Sequence, residues 1–257
     1  MKARPAGVSL AAVLSIACAL AACGGGAPAQ QTPPPNAKRV DASKAGRVTG
    51  RVTYEGPPIA NAPVKVESDP KCASQYPGGL TLDTVRVSNG GLENVFVYVK
   101  SGLDDYYFDT PTAAVVLDQK GCRYTPHVFG LRTGQPLDIV NSDNTLHNVH
   151  AAGRVNQEFN FGQPFQGLKT TKTFTAPEVM VPFRCNVHNW MSAYAGVLNH
   201  PYFSVTGNGG SFELQNLPAG TYTIEAWHEK FGTLTETVTL AEKESKPVSF
   251  TFKATLP

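Results

Sequence analysis

The sequence predicts an all-β protein, a sandwich or barrel of short strands, and three observations carry that prediction. Apolar residues alternate with polar ones in short runs, the period of a half-buried strand. Turn formers are dense, with 24 glycines and 20 prolines among 257 residues, and they fall between the runs. No stretch holds a long helical period that would compete with strands. A chain of this length can bury one or two β-rich cores. The formal net charge of +2, with no clustered basic face, gives no basis for nucleic-acid binding.

Residues 1–22 read as a targeting segment. Lys2 and Arg4 give it a positive start, Val8 to Ala22 is apolar but short for a membrane span, and Leu20-Ala21-Ala22-Cys23 closes it. This ending resembles a bacterial lipoprotein signal, which implies that Cys23 carries a lipid and becomes the mature N-terminus. Gly24 in place of Asp after the cysteine resembles lipoproteins sent to the outer membrane of a Gram-negative cell. The implied compartment is the periplasm, with the lipid as the membrane anchor. Residues 23–45, with Gly24-Gly25-Gly26 and Pro33-Pro34-Pro35, read as a flexible linker in which nothing folds.

The strands are taken in order. Val48, Gly50, Val52 and Tyr54 share one face of the first, which Glu55-Gly56-Pro57-Pro58 breaks, and Ala62 to Val66 reads as the second. A Gly- and Pro-rich connector around Cys72 and Gly78-Gly79 follows. Further strands are expected at Val95 to Val99, Ala114 to Leu117, His127 to Leu131, Leu137 to Val140 and Val179 to Phe183. Beyond Gly207-Asn208-Gly209-Gly210, four more alternating runs carry Phe212 and Leu214, then Tyr222, Ile224 and Ala226, then Leu234, Val238 and Leu240, then Phe250 and Phe252.

One stretch carries chemistry. Cys185, His188 and Met191 stand at successive intervals of three, just after the Val179 to Phe183 strand. A thiolate, an imidazole and a thioether on one tight loop form a soft donor set that suits copper in both Cu(I) and Cu(II). Zinc also accepts cysteine and histidine, but a thioether is a poor zinc ligand, so Met191 favours copper. The loop leaves the site open, and the segment Asn141 to His150 can complete it through His147. His150, three residues on, points to the opposite face of a strand and cannot join it. His127, His200 and His228 have no spacing partner and read as structural.

The pair His147-Asn148 followed by Cys185-x2-His188-x2-Met191 resembles the cupredoxins, small blue-copper β-barrels with a Greek-key fold. The resemblance runs from about Leu92 to about Pro201. It implies one mononuclear type 1 copper held by His147, Cys185, His188 and Met191. It also implies that Asn148 ties the two ligand loops together by hydrogen bonds. The edge of His188 would be the electron port, and Trp190 would sit beside it in an apolar patch where a redox partner docks. A core position for Trp190 is the plainer alternative.

The cysteines fit an oxidising compartment. Cys18 leaves with the signal, Cys23 takes the lipid and Cys185 the metal, so Cys72 and Cys122 remain as a pair. They are expected to form a disulfide, with two separate buried thiols as the alternative.

Leu217-Pro218-Ala219-Gly220-Thr221-Tyr222 resembles the hairpin of carboxypeptidase-regulatory-like domains, which are transthyretin-like sandwiches. Their usual opening, Gly-x-Val-x-Gly-x-Val, is matched far upstream by Gly46-Arg47-Val48-Thr49-Gly50-Arg51-Val52. The expected organisation is therefore a discontinuous sandwich of residues 46–68 and 204–257, with a copper domain, residues 69–203, inserted in it. A hairpin alone cannot bury both its faces, so the first strands should pair with those after Ser204.

These features imply a periplasmic, lipid-anchored carrier of electrons between protein redox partners, such as a cytochrome or a dehydrogenase, with no catalysis of its own. A copper chaperone or storage protein is the alternative. An oxidase or nitrite reductase needs a second histidine cluster, and no His-x-His pair or Cys-His neighbour is present. A purely structural adhesion module would have no use for the donor set.

Overall fold

A computed structural model describes Met1 and residues 33–254, so the targeting segment and Cys23 lie outside the described residues. The chain is almost entirely β. β1 (Gly46–Glu55) comes first, then two short pairings: β2 (Pro63–Val64) with β3 (Leu80–Thr81), and β4 (Val87–Ser88) with β5 (Gly91–Leu92). Between β2 and β3 lies a one-turn helix, α1 (Pro70–Ala73), capped by Asp69, whose carboxylate accepts from the N–H of Lys71 and Cys72. Next are β6 (Phe96–Ser101), β7 (Val115–Gln119), β8 (Tyr124–Thr125), β9 (Val128–Arg132) and β10 (Pro136–Asn141). They are followed by β11 (His147–Ala151), β12 (Phe159–Gln163), β13 (Lys169–Thr173), β14 (Glu178–Arg184) and β15 (Ser192–Leu198). The chain ends with β16 (Phe203–Val205), β17 (Ser211–Leu217), β18 (Gly220–His228), β19 (Gly232–Leu240) and β20 (Ser245–Lys253).

Four sheets stack face to face. The outermost holds β17-β1-β5-β4, with β20 also paired to β1. The second is β16-β6-β18-β19, the third β12-β11-β14-β15-β9, and the fourth β13-β10-β7-β8. Alternation along the strands fills the three gaps. Val97 and Val99 of β6 face the first core with Val48, Val52, Leu214, Ile224 and Phe250, while Phe96 and Tyr98 face the other way, into a small middle cluster with Val128 and Leu198. Ala193, Ala195 and Val197 of β15 pack with Leu117, Leu137, Ile139 and Phe183 in the core between the third and fourth sheets.

β1 is paired antiparallel with β17, Val48 opposite Leu214, and parallel with β20, Val52 opposite Phe250. The first strand thus has two long partners after Ser204, and Thr53 also pairs with Gly91 of β5. Gly50 has a steric reason, since a Cβ there would lie 1.8 Å from the Val248 carbonyl oxygen. At the Leu217 to Tyr222 hairpin, the Tyr222 hydroxyl donates to the Pro218 carbonyl at 2.6 Å and locks the turn.

Several expectations need correction. Sheet membership does not change at residues 68 and 204. β6, expected in the copper-binding part, pairs with β16 and β18, and Val85, Leu92 and Val95 join the first core. Conversely Val66, expected in the sandwich, packs with Cys72 and Leu80 into the core beneath the ligand loop. β6 alternates valine with aromatics because both of its faces are buried, which marks it as a central strand. The second strand is only two residues long and gives way to a short helical turn over Val66–Ser68. Part of the expected linker is also fixed: the Lys38 N–H donates to the Asp105 carbonyl at 2.8 Å, and Lys38 and Arg39 pair with Asp105 and Asp109. Charge pairing across a bridge suffices there without apolar burial.

Candidate metal centre

The third sheet builds the site. His147 opens β11, Cys185 follows the end of β14, and Met191 precedes β15, so the loop 185–191 closes the antiparallel β14–β15 pair. β11 lies beside β14, with Ala151 opposite Phe183, which brings His147 to the mouth of that loop. The loop is internally tied: the Met191 N–H donates to the His188 carbonyl at 2.9 Å, and the Cys185 N–H to the Met191 carbonyl at 3.2 Å. Cys185, His147 and His188 are all buried, and their donor atoms lie within 4.8 Å of one another. Met191 is buried at the base of the same loop, packed in the core between the third and fourth sheets.

The imidazoles show how the cluster is poised. His147 Nε2 lies 3.0 Å from the Asp143 carboxylate, and His188 Nε2 lies 2.9 Å from that of Asp69. A ring nitrogen facing a carboxylate carries its proton, so each outer nitrogen is the N–H and each Nδ1 keeps a lone pair. The two Nδ1 atoms face each other at 3.0 Å, and Cys185 Sγ is 3.8 Å from that of His188. Two lone pairs at that distance repel unless a proton or a metal ion lies between them. The donor set therefore fits a cation, and two imidazoles with a thiolate fit copper.

Electrostatics agree. Burial pushes the Cys185 thiol up, but the two imidazoles beside it and the N–H groups of His188 (3.3 Å) and Asn148 (3.4 Å), which donate to its sulfur, outweigh it and bring it down to about 6. Burial lowers His147, yet Asp143 and Cys185 carry it up to about 8. His188 is likewise raised by Cys185 and Asp69 against burial. Burial raises Asp69, but bonds from His188, Thr145 and backbone N–H groups hold it at about 2. Without metal, the cluster thus stores a proton among a thiolate and two imidazoles, which a metal ion displaces.

Asn148 links the two ligand segments. Its N–H points at Cys185 Sγ, its Oδ1 accepts from the Asn186 N–H at 3.1 Å, and its Nδ2 donates to Asn160 Oδ1 at 2.8 Å. His150 is directed away, to Glu158 on the exposed side. His127 bonds Glu229 at 2.5 Å and the Ser192 carbonyl at 2.9 Å, while His200 and His228 are buried away from the cluster.

The expected electron port requires correction. His188 is only 1% exposed. The segment 64–84 folds over it, pinned by the Cys72–Cys122 disulfide, with Cys72 Sγ 3.6 Å from His188 Nε2. Trp190 is half-buried: its ring lies 5.0 Å from that of His188, it packs on the core beneath, and its indole N–H donates to the Cys122 carbonyl at 3.0 Å. α1 and the disulfide cover the imidazole edge, while Leu146 and Val187, the neighbours of His147 and His188 in sequence, are exposed. Asp69 and Asp143 escaped the sequence reading. Asp143 had a signal, four residues before His147, but Asp69 had none, since 119 residues separate it from His188.

These features define a buried cysteine–dihistidine cluster, able to hold a metal ion, on an all-β scaffold. No protein-family model and no curated protein matches the chain. Among solved structures, a mutant of amicyanin in the Cu(I) form is 20% identical and covers 39% of this chain and 97% of its own, with a TM-score of 0.30. A purple cupredoxin from Nitrosopumilus maritimus is 17% identical, covering 33% of this chain and 98% of its own at a TM-score of 0.27. A copper-containing nitrite reductase from Thermus scotoductus is 21% identical, covering 40% of this chain and 25% of its own at a TM-score of 0.30.

Proposed function

We propose that the protein holds one mononuclear type 1 copper and carries electrons between protein redox partners. His147, Cys185 and His188 would be its strong ligands and Met191 the weak one. The observation that carries this is the pair of Nδ1 atoms facing each other at 3.0 Å beside a thiol brought down to about 6. Copper bound there cycles between Cu(II) and Cu(I), and a donor set acceptable to both states needs little rearrangement. Burial of all three strong ligands favours a resident metal over one handed to a partner, and so favours the electron carrier over the chaperone. A lipid on Cys23 would hold the protein at the outer membrane, facing the periplasm, and a cytochrome or a dehydrogenase is the class of partner that fits. The N-terminal sequence supports the anchor, and the disulfide accords with an oxidising compartment.

The test is to load the purified protein with Cu(II) and record visible and electron paramagnetic resonance spectra. An intense thiolate-to-copper band toward the red end of the spectrum is expected, and Cys185→Ser should abolish it while leaving the fold intact. A colourless protein that retains zinc in preference would sink the reading.

A further inference from the structure

Each ligand imidazole is backed by a carboxylate, and the two carboxylates come from different parts of the chain. Asp143 bonds His147 Nε2 at 3.0 Å, and Asp69 bonds His188 Nε2 at 2.9 Å. Both acids are held in turn. Asp143 accepts from the N–H groups of Gly121 at 2.9 Å and Cys122 at 2.7 Å. Asp69 accepts from the Lys71 N–H at 2.8 Å and the Thr145 hydroxyl at 2.9 Å. The disulfide joins the two arrangements: Cys72 lies one turn after Asp69, and the Cys122 N–H is itself a donor to Asp143.

A backbone carbonyl would be enough to fix each imidazole's tautomer. A carboxylate adds a negative charge to that role, and here it does so twice around a buried site. We propose that Asp69 and Asp143 are positioning residues that set the redox balance of the centre, holding both imidazoles as Nδ1 donors and favouring the oxidised metal. The inference rests on the copper assignment above. Cu(II) with one thiolate and two neutral imidazoles has a net charge of +1. Adding two carboxylates makes the cluster −1, and an arriving electron takes it to −2. Excess negative charge is disfavoured where water is excluded, so each carboxylate stabilises Cu(II) relative to Cu(I). Asp69 also occupies the outer nitrogen of His188, so the ring cannot turn away when the metal is reduced.

The experiment is voltammetry on the copper-loaded, full-length protein and on Asp69→Asn, which keeps the shape and an acceptor oxygen while removing the charge. The blue band should remain, and the ratio of Cu(II) to Cu(I) affinity should fall about tenfold, a rise of about 59 mV in midpoint potential for one electron. Asp143→Asn should shift it the same way, and the double variant further. A second readout is spectroscopic. In the Cu(I) or Zn(II) form, proton magnetic resonance should show two downfield, exchange-protected imidazole Nε2–H signals, with that of His188 lost in Asp69→Ala. An unchanged potential in a blue Asp69→Asn protein, or a His188 Nε2–H that exchanges as fast as a free imidazole, overturns the proposal. Failure of the unaltered protein to give the blue band overturns the copper assignment instead.

Discussion

Asn148 shows how much one side chain can carry at this site. It joins the His147 segment to the Cys185 loop through side chain and backbone together, accepting from Asn186 and directing its own N–H at Cys185 Sγ. Asn148→Ala leaves the Asn186 N–H without its partner, so a loss of about 1 kcal/mol is expected in denaturant unfolding. Copper affinity should fall by about tenfold or more, read by chelator competition; an unchanged affinity would show that the tie is incidental. Away from the metal, His200 and His228 are held at about 4 by burial, well below the ordinary 6.5. Both are neutral in the fold and gain protons first in the unfolded chain. Their contribution is therefore complete above about pH 6.5 and lost as pH falls through 4, a few kcal/mol between them. His228 Nε2 has no hydrogen-bond partner, so His228→Phe removes one titrating group and, of the imidazole's bonds, only that which Nδ1 accepts from the Lys230 N–H at 3.1 Å. The fall in stability between pH 7 and pH 5 should shrink by about half in that variant, and an equal fall in both proteins would refute the assignment. The clustering of His147, Cys185 and His188 was legible in the sequence because two of them share one loop and His147 precedes the Asn. Asp69 was not, because a hydrogen bond across the fold leaves no local pattern.

Among the elements, the long strands declared themselves by alternation, as in β18, whose Tyr222, Ile224 and Ala226 all face one core. β12 and β13 were missed. β13 reads Lys-Thr-Thr-Lys-Thr and lies at a sheet edge with no buried residue, so it has no apolar period to detect. The covering role of the segment 64–84 left no trace for a different reason: a covering segment needs only a few anchors, here Val66, Cys72 and Leu80, and these do not form a periodic run. Its main constraint is covalent. The disulfide spans 50 residues, so Cys72→Ser with Cys122→Ser should cost about 4 kcal/mol in the chain-entropy account. The same change loosens the cover on His188. Copper should then pass to an external chelator faster than from the parent protein, even where both are fully folded. Equal transfer rates would show that hydrogen bonds alone keep the cover closed.

At the scale of the whole molecule, the third sheet meets the second across an aromatic layer, in which Tyr194 of β15 lies 5.1 Å from Trp227 of β18 and the rings of Phe96 and Phe203 cover two glycines. Gly130 of β9 and Gly196 of β15 are directly opposite in register, and together they leave a flat patch on the third sheet. The rings of Phe203 and Phe96 lie on it, stacked with centroids 5.5 Å apart. A Cβ at Gly196 would fall 2.2 Å from the Phe96 ring, and one at Gly130 would fall 2.3 Å from that of Phe203. Phe96 is fully buried between two sheets and has nowhere to move. Gly196→Ala should therefore destabilise by about 2 kcal/mol through overpacking. The metal centre should be spared, since Gly196 lies five residues along β15 from Met191, about 17 Å at the rise of an extended strand. If the contact is what matters, trimming the ring should relieve it. In a Phe96→Leu background the added methyl should cost less than half as much, a coupling that a double-mutant cycle under denaturant reads directly. An equal cost in both backgrounds would mean that the glycine serves the strand itself and that the sheets are held together elsewhere.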